Sequence, residues 1–173
     1  MHRQIRSGVI AVAAVVSAAG CSIKSTDDGN GAATPTLTGA WRAKVQFTDG
    51  AMASLKDLEF LYTFNAGGTM TESSNYDESP PVTPAYGVWR ETGPGRFEYK
   101  SIFYNTKPPA GLKELHDGGW LPDGAGVIVE TISFAADGQS WDSKITLDLS
   151  DQAGKPAPGG TWHGTVHATR IHF

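Results

Sequence analysis

From Thr38 onward the chain is a succession of short runs in which large apolar side chains occupy every second position. Trp41, Ala43, Val45 and Phe47 alternate with Arg42, Lys44, Gln46 and Thr48, the period of a strand with one buried face. Leu58, Phe60, Tyr62 and Phe64 form a second such set, and Phe97, Tyr99, Ser101 and Phe103 a third. Ile128, Glu130, Ile132 and Phe134 share one face of a further strand, and Trp141, Ser143, Ile145, Leu147 and Leu149 one face of the next. Ala66-Gly67-Gly68, Gly93-Pro94-Gly95 and Asp137-Gly138 supply glycine where a hairpin needs positive φ. The pattern predicts about eight strands, near 41–48, 57–65, 69–74, 85–92, 96–104, 126–135, 140–149 and 161–172.

A helical stripe is nearly absent. The best candidate is Ala110–His116, one or two turns inside an irregular stretch from Asn105 to Asp123. The fold class expected is therefore all-β: a single antiparallel, eight-stranded up-and-down barrel with short or no helix. Closure of the sheet removes edges that could pair with other chains. A two-sheet sandwich satisfies the same pattern.

The first forty residues differ in kind. Arg3 and Arg6 precede an apolar run from Gly8 to Ala19, twelve residues long. As a helix it would cover only ~18 Å, short of the ~30 Å hydrocarbon core of a bilayer, and it matches the apolar region of a secretory signal. Ala18-Ala19-Gly20-Cys21 resembles a bacterial lipobox, with Ala18 where that motif usually has leucine. The resemblance implies that the thiol of Cys21, the chain's single cysteine, is acylated and becomes the mature N-terminus. The alternative is an ordinary signal peptide cut near Ala19 or Gly20, leaving a free thiol. Residues 22–37 are small and polar and cannot repay the entropy of ordering, so they read as a tether with a reach of roughly 20 to 25 Å. The organisation expected is a signal peptide over 1–20, a lipidated N-terminus and tether over 21–37, and a barrel domain over 38–173. The protein is then exported and held on the cell membrane or outer membrane by Cys21. Ser22 is not the aspartate that, by resemblance to diderm sorting, would retain it at the inner membrane.

Charge sharpens this picture. The formal net charge of −4 becomes −6 when Arg3 and Arg6 leave with the signal. An acidic chain without a Lys/Arg cluster has no general attraction for nucleic acid. With one cysteine there is no intrachain disulfide, and the core must carry stability alone.

Thr38-Gly39-Ala40-Trp41 opens the first strand and Arg170 lies in the last. This arrangement resembles the calycin superfamily of lipocalin-like barrels. The resemblance implies that Trp41, following Gly39, closes one barrel end and packs against Arg170. Strand parity is compatible, since Trp162, Val166, Ala168 and Arg170 share one face.

Catalytic signatures are few. The sequence holds no Gly-x-Ser-x-Gly elbow, His-Glu-x-x-His helix, phosphate loop or Cys-x-x-Cys pair. His163 and His167 face the same way but lie ~13 Å apart along a strand, too far to share a zinc ion, and no metal or other cofactor is called for. Glu130 is the one acid on an otherwise bulky apolar face. If that face points inward, a carboxylate enters the barrel with a raised pKa, able to orient a ligand or move a proton. The opposite parity, or a bulge, puts it outside.

Three functions fit, in descending order. The first is a membrane-tethered module binding a small hydrophobic or amphipathic ligand inside the barrel, with Phe60, Tyr62, Tyr99, Glu130 and Trp141 as candidate contacts. The second is an envelope structural or protein-interaction module whose barrel is filled by its own side chains. The third is a lipocalin-like isomerase or hydrolase built on Glu130, Tyr62 or Tyr99.

Overall fold

The computed structural model describes residues 35–77, 82–117 and 119–173. The signal region, Cys21 and the tether up to residue 34 lie outside the described residues. The described residues form eight antiparallel strands, each paired with its sequence neighbours: β1 (Gly39–Phe47), β2 (Leu58–Phe64), β3 (Thr69–Ser74), β4 (Ala85–Gly93), β5 (Arg96–Lys107), β6 (Leu121–Phe134), β7 (Ser140–Ser150) and β8 (Pro156–Arg170). β8 returns to β1, in register from Trp41 opposite Arg170 to Phe47 opposite Gly164, so the sheet closes into an up-and-down barrel. The sandwich alternative is excluded. A 3-10 turn (Ala51–Ser54) follows β1, and one short helix, α1 (Leu112–Asp117), lies between β5 and β6.

The alternation in the sequence becomes the two faces of the wall. Trp41, Ala43, Val45 and Phe47 are buried, as are Leu58, Phe60, Tyr62 and Phe64, while Arg42, Lys44, Leu61 and Thr63 face out. Aromatic side chains fill much of the interior. Trp41 and Trp141 sit 4.3 Å apart by ring centroid, and Tyr62 touches Phe60, Phe64, Tyr99 and Trp141. Each such side chain removes about 150–250 Å² from water, and tilted and edge-on ring contacts satisfy the ring quadrupoles.

The two barrel ends differ. One carries the short turns 65–68, 94–95 and 135–139 together with the start of β1; the other carries the long connections 48–57, 75–84 and 108–120. At the short-turn end, Leu37 is fully buried and its carbonyl accepts the Trp41 indole N–H at 2.9 Å. The tether expected to run through Leu37 therefore gives way earlier. Pro35 already lies close to Gly138, and Leu37 plugs the barrel. A single leucine in a polar stretch carries no periodic signal, which is why the pattern assigns it to the tether.

A further expectation is corrected. The stretch Asn105–Asp123 is not irregular throughout: the β5–β6 ladder extends to Lys107 opposite Leu121, past a bulge between Asn105 and Thr106. Backbone hydrogen bonds continue there without a side-chain alternation to announce them. Leu112 and Trp120 in this stretch are exposed, at 85% and 39%. Cover at that end comes from Trp162, which packs edge-on against Phe47 at 6.2 Å, with Met52 of the 3-10 turn against the same core. Gly50, at φ +73°, makes the approach feasible, since a Cβ there would lie 2.2 Å from the Trp162 ring.

Candidate functional site: a buried acid and phenol cluster

At the short-turn end, the guanidinium of Arg170 lies 4.0 Å over the Trp41 ring. Its Nη1 donates to the carbonyl of Thr38 at 2.8 Å and its Nη2 to that of Thr36 at 2.6 Å. Gly39, at φ +129°, is required twice over, by its backbone angle and because a Cβ would meet Arg170 Nη1 at 2.7 Å. Gly39, Trp41 and Arg170 together clamp the entering chain across the barrel end.

The polar interior begins with Glu130. Its parity is now settled: the side chain points inward and is fully buried, between Ile128 and Ile132 along β6. Oε2 accepts the Tyr62 hydroxyl at 2.9 Å. Oε1 accepts the Trp141 indole N–H at 3.0 Å and a short hydrogen bond from Ser143 Oγ. Tyr99 donates in turn to the Tyr62 hydroxyl at 3.3 Å. Four strands supply this network: β2 (Tyr62), β5 (Tyr99), β6 (Glu130) and β7 (Trp141, Ser143). Burial raises the Glu130 pKa, while the hydroxyl and indole donors around it pull the other way. Burial, reinforced by Glu130, pushes both tyrosines well above the ordinary phenol value, so they remain neutral donors.

Of the five residues expected to contact a ligand, Tyr62, Tyr99, Glu130 and Trp141 meet in this one network. Phe60 is buried beside Tyr62 at 6.0 Å by ring centroid, without a polar role.

A second acid completes the interior. Glu72, on β3 directly opposite Tyr62 in register, points inward and is 6% exposed. Its Oε2 has no hydrogen-bond partner. Burial first, then the charges of Asp77 and Glu130, raise its pKa to about 8. Ser101 on β5 is fully buried, and its hydroxyl is likewise unpartnered. Between these two residues runs β4, whose inner face carries only Ala85 and Gly87 before Trp89. Gly87 is obligatory, because a Cβ there would lie 2.2 Å from the Lys100 carbonyl and 2.8 Å from Ser101 Cβ. Asp77, bound by the backbone N–H and hydroxyl of Ser74, stands just beyond the end of β3 at the long-loop end. The sequence pattern does not single out Glu72, although the spacing Met70-x-Glu72-x-Ser74 puts it on the face of a buried methionine. No lysine, arginine or histidine is buried among the described residues.

On the outer wall, His163 and His167 each pair with a separate carboxylate, Asp49 and Asp142, both at 2.9 Å. They stand apart from the interior cluster. Tyr86, Val88, Ile102 and Tyr104 form an exposed apolar strip across β4 and β5, with Tyr86 opposite Ile102 in register.

Comparison with family models, with curated proteins and with solved structures finds no match to this chain.

Proposed function

We propose that the chain is an exported lipoprotein, anchored through Cys21, whose calycin-like barrel binds a small amphipathic ligand at its polar interior. The observation that carries this reading is the pair of buried, unpartnered acceptors, Glu72 Oε2 and Ser101 Oγ, beside the hydrogen-bonded Glu130 network. An unsatisfied buried polar group costs about 1–3 kcal/mol, so two of them in one interior favour a site that a ligand completes. The described chain enters at the clamped short-turn end, which leaves the long-loop end, with Asp77 and Glu72, as the way in for a ligand. The aromatic half of the barrel is packed by its own rings, which favours a ligand that is small and partly polar over a bulky lipid.

The test is a melting-temperature survey of the purified protein against small amphipathic molecules and metabolites. A saturable rise of several degrees with one class is expected, absent in Glu130→Gln. A flat response across the panel contradicts ligand binding.

The exposed strip of Tyr86, Val88, Ile102 and Tyr104 favours a second reading, a protein-interaction module. In that case crosslinking in the source cell captures a defined partner, and Ile102→Lys abolishes capture without changing the melting temperature. Capture of background proteins alone counts against it.

A further inference from the structure

The interior is built to receive a hydrogen-bond donor, and its charge selects which kind. Glu72, Glu130 and, at the rim, Asp77 form a file of carboxylates running inward from the long-loop end. No buried cationic side chain answers them among the described residues. The network around Glu130 is already supplied with donors from Tyr62, Trp141 and Ser143. Glu72 Oε2 and Ser101 Oγ are not, and both belong to the inner wall on either side of β4. β3 and β5 stand two strand spacings apart, about 10 Å, and the strand between contributes only the methyl of Ala85 and the bare backbone of Gly87.

We infer that the ligand is a small aliphatic amine, its ammonium group seated between Glu72 Oε2 and Ser101 Oγ. This rests on the ligand-binding reading above and names its substrate class. Ammonium carries three donors and no acceptor, which matches two unpartnered acceptors in an acidic, cation-free interior. A carboxylate or phosphate ligand would find no buried cation to pair with among the described residues. The alkyl portion of the amine extends toward the mouth along Phe60, which pairs in register with Ser74 one inward-facing position beyond Glu72. Binding is coupled to a proton. The Glu72 carboxyl must ionise to pair with the ammonium, and the groups facing it are Asp77 after β3, Tyr62 on β2, Tyr99 on β5 and Glu130 on β6. Affinity therefore rises with pH toward about 8, and the proton leaving Glu72 appears in the buffer.

The experiment is calorimetric titration of the full-length purified protein with hexylamine, hexanol and hexanoate, in two buffers of different ionisation enthalpy. Hexylamine is expected to bind about tenfold or more tightly than hexanol, with proton release, and hexanoate not at all. Glu72→Gln, an isosteric change that removes the ionisable carboxyl, abolishes the preference for amine and the proton release. Ser101→Ala weakens amine binding several-fold and supplies an independent check should Glu72→Gln not fold. Hexanol binding as tightly as hexylamine, or amine binding unchanged in both variants, overturns the amine assignment while leaving a ligand-binding barrel intact. Absence of binding by all three, with no small molecule retained by protein from the source cell, removes the ligand-binding reading as well.

Discussion

Glu130 and Glu72 present the same chemical group in opposite circumstances. Glu130 is fully buried and surrounded by donors; Glu72 is nearly as buried and has an oxygen facing none. Truncating the first, as in Glu130→Ala, strands the Trp141 N–H and two hydroxyls, and a loss of about 3 kcal/mol or more is expected in chemical denaturation. Replacing the second has a pH signature. An acid whose pKa rises on folding binds more protons folded than unfolded between its two pKa values, so stability declines as pH climbs through that window. For Glu72 the window runs from the ordinary 4.5 to about 8. Its contribution to the decline is at most about 1.4 kcal/mol per pH unit. Denaturation of the wild type from pH 5 to 8 should show falling stability, and Glu72→Gln a shallower slope with a gain at pH 8. Parallel profiles would show that Glu72 is not the buried acid described.

At the scale of elements, strand parity was legible because one-sided burial forces a period of two. Trp41, Phe60, Tyr62, Tyr99 and Trp141 all face inward as their runs imply, and the same rule brings Glu130 with them. β4 shows where the rule fails. Its large residues Tyr86 and Val88 face outward, while Ala85 and Gly87 face in, because backbone crowding against Lys100 and Ser101 leaves no room for a side chain. Hydropathy cannot foresee a constraint imposed by a neighbouring backbone. Leu37 and the 3-10 turn were unreadable for a related reason, since neither belongs to a run with a repeat: Leu37 is a lone buried leucine, and of the turn Met52 packs against the core. The clamp that Leu37 joins can be tested. Arg170→Ala removes two hydrogen bonds to carbonyls and the contact over Trp41, and should lower stability by about 2 kcal/mol. Gly39→Ala should lower it by about 1–2 kcal/mol through its backbone angle and the displaced guanidinium. Combined, the two substitutions should fall short of additivity, because the clash with Arg170 vanishes once that side chain is gone.

For the whole molecule, one face of each strand and a closed hydrogen-bond ladder account for a barrel without a disulfide. The barrel's two ends divide the work proposed for it: an end clamped by Leu37, Trp41 and Arg170, and a looped end proposed to admit a ligand to Glu72. Cys21→Ser should shift the protein from the membrane fraction to the soluble exported fraction with its melting temperature unchanged. Retention in the membrane would contradict anchoring by acylation. The central claim, that the barrel carries a small ligand, is tested most directly by native mass spectrometry of the protein extracted gently from its source cell. The account predicts a discrete non-covalent adduct that is lost on denaturation and absent from Glu72→Gln. A single apo mass from both proteins would contradict it.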